Sequence, residues 1–198
     1  MKRAFDVKIA AKTLGICLFL VLMVAVQSVT AREIAGIPVP ESVTFNNTAL
    51  VLNGAGIRKK LFIKIYVGAL YLTAKRTNVS EILADREAKR ITMNFLYKEV
   101  SAERLAEGWN KGFNDNNSIE ELKKLQERIN LFNSLFTVVR KGDVIQLDYM
   151  PNEGTRVWIN DIIKGTVPGE DFYQALLKIW LGPKPAEVEL KDAMLGNS

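Results

Sequence analysis

The order of local patterns predicts an α+β domain, with helices packed against a mostly antiparallel sheet. Three observations carry that expectation. Strand-like runs come first, helical runs fill the middle, strands return, and helices close the chain, an order that segregates helix from sheet. The run at 57–72 is apolar on both of its alternating faces, as in a strand covered from both sides. The helical runs open on Asn78, Ser101 and Ser118, residue types whose side chains accept from the free N–H groups of a first turn.

The elements follow in order. Arg32–Glu41 carries prolines at 38 and 40 and suits an edge or a turn. Leu50–Leu52 and Ile57–Leu72 read as a β-hairpin or as two successive strands joined near Gly54 and Gly56. Within the second, Ile63, Ile65, Val67, Ala69 and Tyr71 share one face. Phe62, Lys64, Tyr66, Gly68, Leu70 and Leu72 share the other. A short helix follows Asn78, with Glu81 in capping-box spacing. Arg90–Tyr97 alternates as a strand. After Ser101, Leu105, Trp109 and Phe113 recur four apart on one helical face, until Asn-Asp-Asn-Asn-Ser interrupts it. Ser118 and Glu121 start the longest helix, striped by Ile119, Leu122, Leu125, Ile129, Phe132 and Phe136. Asp143–Met150, Thr155–Ile159 and Ile162–Gly165 are strands, turned at 152–154 and at Asn160-Asp161. Glu170–Leu181 is a helix closed by Gly182-Pro183, and Glu187–Leu195 is a last short helix.

The first 31 residues have the plan of a secretory signal peptide. Lys2, Arg3, Lys8 and Lys12 precede the apolar run Leu14–Val26, and Val29-Thr30-Ala31 forms a small-residue exit. The apolar run is shorter than the ~20 residues that span a bilayer. An uncleaved N-terminal anchor is the alternative. Residues 32–198 then form one domain, expected to be periplasmic or secreted and to have no stable membrane span. Removing the leader's four basic residues and one acid lowers the net charge from +5 to +2, which weakens any nucleic-acid reading. The chain has no His, and its single Cys17 lies in the leader. Ser-His and Cys-His nucleophile pairs and the usual zinc and iron ligand sets are therefore excluded, and neither metal nor cofactor is expected. Acid–base chemistry would fall to Lys, Tyr or carboxylates.

The segment "GAGIR…KIYVGALYL" at 54–72 resembles the signature strand pair of the chalcone isomerase superfamily. "ITMNFLYKEVSAERLAEGWNKGF" and "VWINDIIKGTVPGEDFYQALLKIWLGPKPA" are similar to its strand–helix segment and to its closing hairpin and helix. The chain most resembles the exported, bacterial-type chalcone isomerase-like proteins. The resemblance implies an open-faced β-sandwich with helices layered on one side of a large sheet and a cleft between them. It also implies that Arg58 points into the cleft toward a ligand's oxygens. An Arg suits that post because its planar fork grips a carboxylate through two hydrogen bonds and keeps its charge when partly desolvated. The alternative is an Arg58 at a strand end, paired with a surface Glu or with water.

Tyr66 stands where the family's catalytic Thr would be, a replacement that the resemblance associates with fatty-acid-binding members. The family's Asn position falls near Leu105 and its Tyr position near Lys98, with Tyr97 adjacent. The later Ser/Thr position falls nearest to Tyr173. A flavanone-forming isomerase is disfavoured on those departures, and no catalytic residue is assigned. The favoured reading is a non-catalytic binder of a fatty acid or similar amphipathic carboxylate, with Arg58 and Tyr66 on its head and Lys64 as a candidate helper. Phe62, Leu70, Phe95, Trp109 and Phe113 are candidate cleft walls, each of them also a candidate for plain core packing. Two other classes stay open: an isomerase or intramolecular lyase acting on another enone, and an envelope scaffold binding a protein through an apolar patch.

Overall fold

A computed structural model describes residues 31–197. The expected leader lies outside the described residues except for Ala31. Strands β1 (Ala31–Ile34) and β2 (Ile37–Pro40) make a separate hairpin, turned by Ala35 and Gly36 at positive φ. The main sheet begins with β3 (Ser42–Phe45), β4 (Thr48–Lys60) and β5 (Ile63–Leu72). After α1 (Val79–Ala84), β6 (Lys89–Phe95) returns to it. The short strands β7 (Glu99–Val100) and β8 (Val139–Arg140) pair with each other and bracket α2 (Ala102–Asn116) and α3 (Ile119–Ser134). Strands β9 (Val144–Met150), β10 (Gly154–Ile159) and β11 (Ile162–Val167) complete the sheet, and α4 (Glu170–Leu181) and α5 (Val188–Met194) follow.

The seven strands lie in the order β11-β10-β9-β6-β5-β4-β3 with every pairing antiparallel. The expected α+β class holds. Alternation on the central strands sorts the side chains into two cores. Tyr66, Leu70, Leu72, Ile91, Met93 and Phe95 face the helices and pack with Trp109, Phe113, Phe132 and Trp180. Val67, Ala69 and Tyr71 face the other way, against Val39 and Phe45. Each fully buried Leu, Val or Phe contributes about 1.5–3 kcal/mol. On the outer face Arg90 donates two hydrogen bonds to the buried Asp148, at 2.6 and 2.7 Å.

Two expectations about 54–72 are corrected. Ile57–Leu72 is not one strand: β4 runs on to Lys60 and reverses through Leu61 and Phe62 into β5. Leu61 holds φ 57°, a left-handed value that most two-residue turns give to Gly, Asn or Asp. Gly54 and Gly56 are not a joint either. They lie within β4, where α5 presses on the sheet. A side chain at Gly54 would collide with the Ala193 carbonyl, and a Cβ at Gly56 would stand 2.7 Å from that of Ala193. Gly68, opposite Gly56 on β5, meets Met194 in the same way. These three glycines let a helix lie almost on the backbone. Asn53 adds a buried hydrogen bond to the Met194 carbonyl at 2.8 Å.

Candidate functional site

Arg58 and Tyr66 are directly opposed on β4 and β5, so both side chains leave the sheet on one face. That face is the one the helices cover. The Arg58 guanidinium carbon stands 5.7 Å from the centre of the Tyr66 ring, within cation–π reach. Tyr66 is 2 % exposed, and its hydroxyl accepts a hydrogen bond from Trp180 Nε1 at 2.9 Å. Burial pushes the phenol above its ordinary pKa, with the Arg58 charge pulling the other way. Tyr66 therefore keeps its proton at physiological pH and has it to donate.

Arg58 enters none of the ion pairs among the described residues. Its Nε is buried without a hydrogen-bond partner, and so is Trp109 Nε1. Both residues, with Tyr66, line an inner pocket of about 60 Å³ between β5, β6, α2 and α4. Unpaired buried donors each cost about 1–3 kcal/mol, and here both belong to residues that border one small space. Its other walls are mostly apolar, formed by Ile65, Met93, Phe95, Leu105 and Ile179, with Arg104 as a second cation. A Cβ at Gly108 would meet nothing within 4 Å, so the α2 wall is open at that point. The site therefore offers donors and an apolar lining, the chemistry that holds an oxyanion or carbonyl attached to a hydrocarbon.

Arg58, Ile65, Val100, Arg104, Gly108 and Ala186 also line an outer vestibule of about 690 Å³. Its charged walls are Arg58, Lys59, Lys60, Arg104 and Lys111 against Glu99 and Glu107, an excess of positive charge. At about 10–15 Å³ per water, the inner pocket takes a head group and a short apolar segment. The vestibule leaves room beyond it for a longer chain.

Of the residues expected from sequence, the structure brings Arg58, Tyr66, Phe95 and Trp109 together at the pocket. Four are placed elsewhere. Phe62 sits on the β4–β5 turn at 98 % exposure, because the chain reverses where a continuous strand was expected. Lys64 is on the expected side of β5 but lies nearer the turn, beyond the cover of the helices, and is solvent-exposed. Leu70 is fully buried among core residues farther along β5. Phe113 packs on Phe132 and Phe172, with ring centres 6.3 and 5.7 Å away. Arg104, Gly108 and Trp180 were missed. Arg104 and Gly108 share a helical face with Leu105 and Trp109, a signal present in the spacing. Among the positions weighed for an isomerase, Leu105 lines the pocket, Tyr97 lines the vestibule and Lys98 is exposed. Tyr173 is buried elsewhere, stacked on Tyr149 with ring centres 4.8 Å apart.

The sequence matches the chalcone isomerase-like family model over residues 31–196. The chain belongs to the chalcone isomerase-like family. Among curated proteins, none matches it. Among solved structures, a fatty-acid binding protein of Arabidopsis thaliana is similar, at 18 % identity and a TM-score of 0.64. The match covers 85 % of this chain and 96 % of that one. At this identity the likeness establishes the chalcone isomerase-like fold, an open sheet with helices on one side. Among the described residues no helix is long and apolar enough to cross a membrane, and no cluster of acids suits a metal ion.

Proposed function

We propose that this member of the family is an exported, non-catalytic binder of an amphipathic carboxylate such as a fatty acid. The observation that carries the reading is Arg58: a half-buried guanidinium with an unpaired Nε, over the Tyr66 ring, at the junction of a mostly apolar pocket and a cationic vestibule. A desolvated cation without an acid is costly, and an anionic ligand removes that cost. The carboxylate accepts hydrogen bonds from the Arg58 fork and from the Tyr66 hydroxyl, while its hydrocarbon lies against Phe95, Ile65 and Val100. Leu105 and exposed Lys98 stand where the family's isomerases keep polar catalytic groups, and that favours binding over turnover.

The test is native mass spectrometry of the purified protein, followed by displacement of a fluorescent fatty acid. Saturable carboxylate binding that Arg58→Ala weakens without unfolding the domain supports the reading. Equal affinity for a carboxylic acid and its methyl ester would refute it.

A further inference from the structure

The β4–β5 turn exposes Leu61, Phe62 and Ile63 at 86 %, 98 % and 49 %. Strand register places a second apolar tip at the same end of the sheet. Tyr66 of β5 pairs with Phe95 of β6, Asn94 with Val144 of β9, and Ile145 with Ile159 of β10. The β10–β11 turn therefore projects from the same end as the β4–β5 turn, carrying Ile162 and Ile163 at 59 % and 52 % exposure. Neither tip is loose. The first holds Leu61 at φ 57°, and the second holds Asn160 and Asp161 at 51° and 63°. Tight turns thus present branched and aromatic side chains to solvent, where burial would normally be favoured.

The charges around them have one dominant sign. Lys59, Lys60 and Lys64 flank the first tip and Lys164 the second. Lys98 and Lys141 lie between, their segments joined by a backbone hydrogen bond of 3.2 Å. The acids at this end are largely engaged. Glu99 pairs with Arg140 at 3.0 Å, Asp143 accepts from the Arg140 N–H and from Asn160 Nδ2, and Glu187 accepts from the Lys59 N–H at 2.9 Å. Asp161 is exposed. Apolar tips ringed by lysines complement an anionic bilayer surface, where hydrocarbon enters the headgroup boundary and ammonium groups meet lipid phosphates.

We propose that this end of the sheet docks on an anionic lipid surface, with the Leu61–Ile63 and Ile162–Ile163 tips inserted. Lys60 and Ile63 also form the vestibule wall, so the docked protein opens its vestibule beside the bilayer. The docking goes beyond the carboxylate reading and does not depend on it.

The test uses the full chain with Cys17→Ser, carrying an environment-sensitive fluorophore at Phe62→Cys or, at the opposite end of the sheet, at Glu153→Cys. Vesicles contain phosphatidylcholine alone or with about one-third phosphatidylglycerol. Residues 1–30 are common to both labelled forms, so their own lipid affinity does not distinguish the two sites. The expected result is a blue shift and lipid quenching at position 62 alone, on anionic vesicles, weakened by salt. In the chain labelled at neither position, Phe62→Ser with Ile162→Ser lowers vesicle partitioning roughly tenfold and leaves the melting temperature unchanged. Equal signals at both ends, or no response to anionic lipid, overturn the proposal. A blue shift that grows with protein concentration and needs no vesicles assigns the tips to a second copy and also overturns it. Carboxylate binding without vesicles is measured separately, so either reading can fail alone.

Discussion

Arg58→Gln separates a ligand-holding residue from a structural one. The native side chain makes no ion pair among the described residues and leaves Nε buried and unpaired. What folding loses with it is the contact over the Tyr66 ring at 5.7 Å, of order 0.5–1 kcal/mol for a partly exposed pair. Relief of the unpaired buried donor is partial, because the Gln amide brings polar atoms of its own, and offsets a similar amount. Stability is therefore expected to change by less than about 1 kcal/mol, a shift of only a few degrees in melting temperature. Binding is a different matter. A charge-assisted pair of hydrogen bonds to a carboxylate, about 3 kcal/mol, disappears, so Kd rises by roughly a hundredfold. Arg58→Lys, which keeps charge but loses the fork, falls between. The assay pairs thermal denaturation with fatty-acid displacement on the same preparations. Unchanged affinity, or a stability loss above about 3 kcal/mol, would show that Arg58 serves the fold through a contact other than a ligand.

Tyr66→Phe leaves the buried Trp180 Nε1 without its acceptor, so a loss of about 1–3 kcal/mol is expected in chemical denaturation together with weaker carboxylate binding. Gly108→Leu fills the open side of the inner pocket; affinity should collapse while the melting temperature holds, and retained binding would place the ligand wholly in the vestibule. Gly54→Ala drives a methyl into the Ala193 carbonyl and should cost at least about 1–3 kcal/mol in denaturant unfolding. Glu121, whose carboxylate accepts from the Ser118 N–H at 2.7 Å and from Lys178, is lowered to about 2 in the folded protein. A lowered folded pKa contributes stability that is complete above the unfolded carboxylate range and is lost as pH falls from about 4.5 through about 2. Glu121→Gln should flatten that part of the stability–pH curve, which thermal melts between pH 2 and 6 would display.

Elements whose cause is local were legible in the sequence. Asn78, Ser101 and Ser118 cap the helices expected after them, through side-chain acceptors at each first turn. The two-faced alternation of β5 sorted Tyr66 from Val67 correctly. Legibility failed where the cause lay elsewhere in the chain. Leu61-Phe62 has none of the residues that mark a turn, so the reversal was hidden inside an apolar run. The glycines of β4 looked like a joint because their real partner, α5, lies about 140 residues downstream, as the Asn53–Met194 bond records. At the candidate site the family resemblance pointed to Arg58 and Tyr66, and their opposition across β4 and β5 depends on the turn that the alternation concealed. Arg104 and Gly108 were readable in principle, since they share the face of Leu105 and Trp109, but a charge and a missing side chain do not look like a wall.

The lateness of α5 also shapes how the molecule acquires its site. Glu187, at the start of α5, binds the Lys59 N–H beside Arg58, and Ala186 closes the inner pocket. The pocket is thus assembled from residues between 58 and 109 and from residues 179 and 186 near the far end of the chain. Such long-range closure is slow relative to local helix formation, and a chain that stops short of residue 186 lacks part of the pocket. On the proposed reading, a carboxylate that binds only the finished pocket would withdraw molecules from the unfolded population and so act as a check on completion.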